Sequence, residues 1–408
     1  MQALVFENSL PRLAATKLMG MVSPRAYVAR TAPIALREVP EAPLPGDDWV
    51  RVRTRLCGLC GSDYKQVFLN GATDNPMTAV ISFPQVLGHE VVGVIDEVGA
   101  GVRERRVGER VVLNPWLSCA PRGLPPCRWC AQGDFAQCES FTRGRLEPGI
   151  HTGNSRDATG GFADRVPAHE SMCISIPDGI SDEQAVLADP FSVSFHAVVH
   201  NPPPAGGSVL VYGCGTLGLL QIPILRVLHP EVTVLAVARF RHQAELAERM
   251  GAHHVLAHRP TRGLVEQIGS ITRSELQRPW RGLPMLNGGV DVVYDSVGLP
   301  ETLEVGVRVT RSRGTVAVTG VETPRRFEWT PLYFKEIALR GSNAFGMETW
   351  DGRRQHAMEW YFELIRERGY DGTGILTHRF PLGEYGPAFL ACHDQGASGA
   401  VKVLFDFG

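Results

Sequence analysis

The sequence has no excess of charge of either sign: 41 lysines and arginines stand against 43 aspartates and glutamates. No broad electrostatic field is therefore available to hold a nucleic acid or an anionic membrane surface, and neither partner is expected. The chain also lacks any apolar run of the ~18 residues that a spanning helix needs. Glu7, Arg12 and Lys17 interrupt its opening stretch, so no secretion leader is expected and the cytosol is the expected compartment. Internal repeats and low-complexity segments are missing as well. The nine cysteines do not make an even set, which argues against a disulfide framework in a long chain without a leader.

What is present is 408 residues, more than one core normally serves, so two domains are the natural expectation. Residues 1 to about 185 carry short β-branched runs punctuated by glycine and proline, such as Trp49–Arg53, Val91–Val98 and Arg110–Leu113. These predict an antiparallel, barrel-like β domain. The stretch Phe68–Pro84 has no clear period and reads as a surface loop with a short helix. After Asn201–Gly207 the pattern changes to alternation. Ser208–Tyr212, Val232–Ala238, Val290–Asp295 and Thr315–Gly320 read as strands, and Leu217–Leu228 and Arg241–Met250 as helices. Such alternation predicts a doubly wound parallel sheet. A further helix at His356–Arg368 and strands ending at Ala400–Phe405 suggest a return to the first domain. The expected layout is 1–190, with a cysteine lobe at 115–140, then 191–341, then a returning segment at 342–408.

Gly213-Cys-Gly-Thr-Leu-Gly218 is a GxGxxG sequence between an apolar strand and an apolar helix, the context a dinucleotide fingerprint requires. Gly213 permits the tight turn, Gly215 the approach of the pyrophosphate, and Gly218 the packing of helix on sheet. The helix start at Thr216 and Leu217 offers unpaired N–H groups to phosphate. Val297 and Gly320, where two later strands end, complete the expected nucleotide-side positions. Where an acidic residue would bond the ribose 2′-hydroxyl stands Ala238, followed by Arg239 and Arg241. The two arginines suit a 2′-phosphate and favour NADP over NAD; as a merely solvated sheet edge they would leave NAD in place.

Cys127 and Cys130, with Cys138 beyond them and Cys119 eight residues upstream, supply the four thiolates of a closed structural zinc site. A second, sparser cluster joins Leu56-Cys-Gly-Leu-Cys-Gly-Ser-Asp63 to Val86-Leu-Gly-His-Glu90. One thiolate, one imidazole and nearby carboxylates suit a catalytic zinc that keeps a position for water or substrate.

Taken together, CGLCGSD, LGHEVVGVIDEVG, VGERVV, GGFADRV, ADPFSVSFHAV, VYGCGTLG and GGVDVVYDSVG resemble the medium-chain, zinc-containing alcohol dehydrogenases, in the branch with sorbitol and threonine dehydrogenases. The resemblance runs from about residue 50 to the C-terminus. It implies an α/β protein with a GroES-like β-rich catalytic domain and a Rossmann-type domain, two zinc ions per chain, NADP or NAD, and assembly as a homodimer or homotetramer. It also implies roles. Cys60 and His89 would be zinc ligands, Asp189 the third ligand, and Glu90 an adjacent carboxylate able to exchange onto the metal. Cys57 would pack in the core. Asp63 would orient an imidazole from behind, or only stabilise its turn. Ser62 would pass the substrate proton, and Lys65 stands where many relatives carry the relay histidine. Seven residues separate Cys119 from Cys127, more than the family usually has, which makes Cys119 the least secure of its four. Trp116 would line the substrate pocket or belong to the barrel core. Gly61 leaves space beside the metal.

The implied reaction is hydride transfer between a secondary alcohol or polyol and the nicotinamide, with carbonyl reduction as its reverse. A metal-free reductase, an aldehyde dismutase that retains its nucleotide, and a non-catalytic zinc and nucleotide binder are the rival readings.

Overall fold

The computed structural model describes residues 1–71, 75–320, 322 and 327–408. The expected loop at Phe68–Pro84 therefore lies partly outside the described residues; within them it contains a short 3-10 turn, Pro76–Val80. The chain divides into two compact units. One comprises Met1–Asp189, Met358–Phe362 and Leu376–Gly408; the other comprises Pro190–Ala357 and Glu363–Ile375.

The first unit is built on a seven-stranded sheet. Its order is Leu376–Pro381, Lys402–Asp406, Trp49–Gly58, Glu90–Val98, Arg110–Leu113 and Cys173–Ser175, with Arg165–His169 also pairing to Trp49–Gly58. All neighbours are antiparallel except the first pair. Alternation in Trp49–Gly58 sends Val50, Val52 and Leu56 inward and Arg53 and Arg55 out. Arg51 is buried nonetheless: it sits directly across from Glu97 and donates to that carboxylate at 2.6 Å and to Ala42 O at 2.8 Å. The core under this sheet gathers Val50, Val52, Ile95, Val111, Phe162 and Phe405, with Cys57 among them as expected. A helix the sequence reading did not anticipate, Leu10–Gly20, buries only Thr16 and lacks a side-chain cap at Ser9.

The second unit holds a six-stranded sheet in the order His254–Ala257, Thr233–Ala238, Ser208–Tyr212, Val290–Asp295, Thr310–Val318 and Ala338–Gly341. Every neighbouring pair is parallel. Covered on both faces, its strands are nearly continuous apolar runs; Val209, Leu210 and Val211 are fully buried. The chain order reverses between Ser208–Tyr212 and Val290–Asp295, and the carboxyl ends of those two strands are where an open α/β sheet takes its ligand.

The returning segment is shorter than expected. Besides Glu363–Ile375, residues 342–357 stay with the parallel-sheet unit. There the antiparallel pair Met347–Trp350 and Arg353–His356 projects Glu348 onto His196 and His200 of the same unit.

Candidate active site and metal centres

Cys60 stands just before the helix Gly61–Val67. Its backbone N–H donates to Asp63 Oδ2 at 3.0 Å, and Asp63 Oδ1 accepts from the Gly88 N–H at 3.3 Å. One buried carboxylate thus ties the loop carrying Cys60 to the loop carrying His89. Asp63 Oδ1 is also 3.8 Å from His89 Nδ1, near enough for charge to act but too long for a hydrogen bond. Asp63 therefore sets the backbone of both loops and faces the imidazole.

Side-chain donor atoms of Cys60, His89 and Glu90 lie within 4.8 Å of one another. Glu90 forms an ion pair with Lys402, and Lys402 Nζ donates in addition to Leu59 O at 3.2 Å; both side chains are almost wholly buried. Asp189 is buried at the start of the helix Ala188–His200. It stands outside that group of three but is near enough to His89 for their charges to act on each other.

The electrostatics follow from burial and neighbours. Burial alone pushes the His89 imidazole down, but Cys60, Asp63 and Asp189 outweigh it and hold the ring well above the ordinary histidine range. Burial lifts the Asp189 carboxyl to about 7 against the pull of His89. Burial also works against the Lys402 ammonium, yet Glu90 and Cys60 raise it above its usual value. A sulfur, a nitrogen and an oxygen converging in a buried, anion-rich place are the donor set that suits a zinc-class cation.

Ser62 is exposed on the first turn after Cys60, and Lys65 is half-buried three residues on. That spacing puts them on one helix face. One nearby residue, His151, escaped the sequence reading. His151 lies against His89 with ring centroids 4.5 Å apart and planes tilted by 46°, and Trp116 meets His151 edge-on at 5.9 Å. His151 Nδ1 is 2.8 Å from Thr152 O and Nε2 is 2.9 Å from Asn154 Nδ2, which fits a neutral ring donating at one nitrogen and accepting at the other. Burial, with His89 adding to it, pushes its pKa down to about 3. Trp116 is buried beside that ring. Lys402 was also missed; nothing in GAVKVLF distinguishes it from an ordinary strand lysine.

In the cysteine lobe, sulfur atoms of Cys119, Cys127, Cys130 and Cys138 lie within 4.8 Å of one another. Cys119 Sγ is 3.6 Å from Cys138 Sγ and accepts from the Cys127 N–H at 3.3 Å. The long spacer does not displace Cys119. It carries Arg122, which is fully buried and donates to the carbonyls of Leu117, Arg143, Leu146, Glu147 and Gly149.

In the parallel-sheet unit, Gly213 has φ of +98°, a conformation that side chains rarely adopt, and a Cβ there would meet Val297 at 2.4 Å. A Cβ on Gly218 would come within 2.0 Å of Gly213 O, whereas one on Gly215 would meet nothing within 4 Å. Gly215 thus leaves open space at the start of the helix Thr216–Leu228. Gly320 abuts Val297 so closely that its own Cβ would lie 2.3 Å from the Val297 carbonyl carbon. Buried Asp295 shapes the rim by accepting from the N–H groups of Val297 and Gly298 at 2.9 and 3.0 Å. The glycine turn, Val297 and Gly320 therefore meet at the carboxyl ends of adjacent strands, a cradle of the shape a dinucleotide takes. Arg239 and Arg241 follow the strand Thr233–Ala238. The Arg239 guanidinium lies 5.0 Å over the Phe240 ring, and Arg241 pairs with Glu245 at 2.8 Å.

Residues 46–178 match the family of alcohol dehydrogenase GroES-like domains, and residues 216–363 match that of zinc-binding dehydrogenases. The chain belongs to the medium-chain, zinc-containing alcohol dehydrogenase family. It is 26% identical to a sorbitol dehydrogenase of Arabidopsis thaliana over 89% of this chain and 90% of that one. An alcohol dehydrogenase (rspB) of Escherichia coli CFT073, solved with NADH, superposes with a TM-score of 0.73 at 22% identity, covering 100% of this chain and 99% of that one. A zinc-binding dehydrogenase of Sinorhizobium meliloti, solved with NADP, gives 0.70 at 25% identity over 92% of this chain and 96% of that one. As a member of the family the chain is an enzyme, an alcohol oxidoreductase that uses zinc and a nicotinamide cofactor. Nothing in these likenesses favours a metal-free reductase, a dismutase or a non-catalytic binder. Among the described residues no helix is long and apolar enough to cross a membrane.

Proposed function

We propose that this alcohol dehydrogenase oxidises secondary alcohols or polyols at a zinc held by Cys60, His89 and Asp189, with Glu90 exchanging onto the metal. The observation that carries this reading is the convergence of half-buried Cys60 with buried His89 and Glu90, with Asp63 fixing the backbone on both sides. Bound there, zinc supplies Lewis acidity to a substrate oxygen, and the nicotinamide accepts or returns hydride. The chain's own part is positional. Lys402 neutralises Glu90 and holds it back, which leaves Asp189 as the standing oxygen donor. Ser62, exposed beside the metal ligands, takes the substrate proton, and Lys65 on the same helix face passes it outward. His151 stays neutral and keeps its ring against His89.

A second zinc rests on Cys119, Cys127, Cys130 and Cys138, making two per chain. Arg239 supports a preference for NADP; Arg241, already paired to Glu245, supports it less. The polyol reading draws on the relatives named for sorbitol. A cytosolic homodimer or homotetramer completes the proposal, resting on the charge balance and the family.

The test is a panel of secondary alcohols, polyols and amino alcohols, assayed separately with NAD and NADP, alongside the zinc content of the purified enzyme. Polyol turnover with NADP is expected. A clear preference for NAD would overturn the role given to Arg239.

A further inference from the structure

A third group of metal-ligating side chains lies in the parallel-sheet unit, and it shares no residue with the two already described. His196 and His200 are one turn apart on the helix Ala188–His200, so both rings project from the same face. Their centroids are 4.1 Å apart. Glu348, on the strand Met347–Trp350, reaches up between them: Oε1 is 2.7 Å from His196 Nδ1 and Oε2 is 2.8 Å from His200 Nε2. The Gly346 N–H donates to the same carboxylate at 3.0 Å, which fixes its orientation. One donor atom from each of the three side chains lies within 4.8 Å of the others.

We propose that His196, His200 and Glu348 form a third divalent metal site, one that takes zinc or a similar transition-metal ion. Three features argue for it. The donors are two imidazole nitrogens and one carboxylate oxygen, a set that suits zinc, cobalt, nickel or copper and not the all-oxygen shells of magnesium or calcium. The carboxylate is 2% exposed whereas the His200 ring is 54% exposed, so the fixed ligand is interior and the entry path runs past His200. The spacing is also close to what an ion needs. With metal–ligand bonds of about 2.0–2.2 Å, tetrahedral neighbours sit about 3.3–3.6 Å apart, so the nitrogen–oxygen contacts of 2.7 and 2.8 Å need open by less than about 1 Å. Three protein ligands leave the fourth position to water. Such an ion would staple the helix Ala188–His200 to the Met347–His356 hairpin.

The experiment compares the intact enzyme with H200A and with H196A after dialysis against micromolar zinc, by metal content and by thermal unfolding. The wild type is expected to hold one more zinc ion per chain than either variant, and added zinc should raise its Tm but not that of H200A. Because the readout is a difference of one ion, it does not depend on how many ions the other two groups hold. The exposed position of His200 makes H200A the variant that keeps its fold if H196A does not. Equal zinc content in wild type and H200A, or the same zinc-induced Tm shift in both, would overturn the site and leave a hydrogen-bonded clamp.

Discussion

In the cysteine lobe, all four sulfur atoms come from one stretch, Cys119 to Cys138; at the active site, the donors come from residues 60, 89 and 90, and the balancing cation from residue 402. The lobe gathers four like ligands with Arg122 as the cation held against them. The active site contains its own counter-charge, Lys402, beside Cys60, Asp63, Glu90 and Asp189. The difference separates two uses of metal. A set of like thiolates needs its ion to stay together, whereas a charge-mixed set is partly balanced by its own cation.

The largest effect should come from cutting one ligand in each group. C60A is expected to bring alcohol oxidation down to background while the protein stays folded by circular dichroism. C130S should spare much of the activity and make the lobe sensitive to protease. Equal loss of fold in both variants would break the contrast. Next is K402M, which strands the buried Glu90 carboxylate and should cost roughly 3–5 kcal/mol, read as a lowered denaturation midpoint. A K402M protein as stable as wild type would mean that Glu90 needs no counter-charge. D63N follows, weakening zinc at the active group about tenfold to a hundredfold without touching the lobe, as measured by competition with a chelator. The smallest effect sharpens the cofactor side. R239A should remove a charge-assisted contact worth about 1.5 kcal/mol, raising KM for NADP roughly tenfold and leaving KM for NAD unchanged.

The parallel sheet was legible because strands buried on both faces leave uninterrupted apolar runs, and Ser208–Tyr212 falls where SVLVY places it. Cys60, His89 and Glu90 were legible through their motifs, and the cysteine lobe through spacing. What stayed hidden depends on contacts across long sequence separations. Lys402 gains its meaning only where Glu90 meets it. His151 lies in a glycine-rich loop with no periodicity to mark it. The segment 342–357 looked like a return to the first domain because it follows the last strand of the sheet. What holds it back is Glu348 reaching His196 and His200, a contact no local pattern announces. The helix Leu10–Gly20 escaped because it has neither a side-chain cap nor a buried apolar stripe.

The Arg122 side chain gives the lobe a second fastener of a different chemistry. Its guanidinium gathers carbonyls from Arg143 to Gly149, while the Arg145 N–H returns a bond to Arg122 O at 3.0 Å. Stripping the metal should therefore open the lobe in order, not all at once. Amides between Cys127 and Cys138 would exchange with deuterium first, and Arg145 would stay slow until the guanidinium lets go. On that order of exchange the inserted spacer would act as a hinge pin, confining the zinc-dependent part of the lobe to its tip.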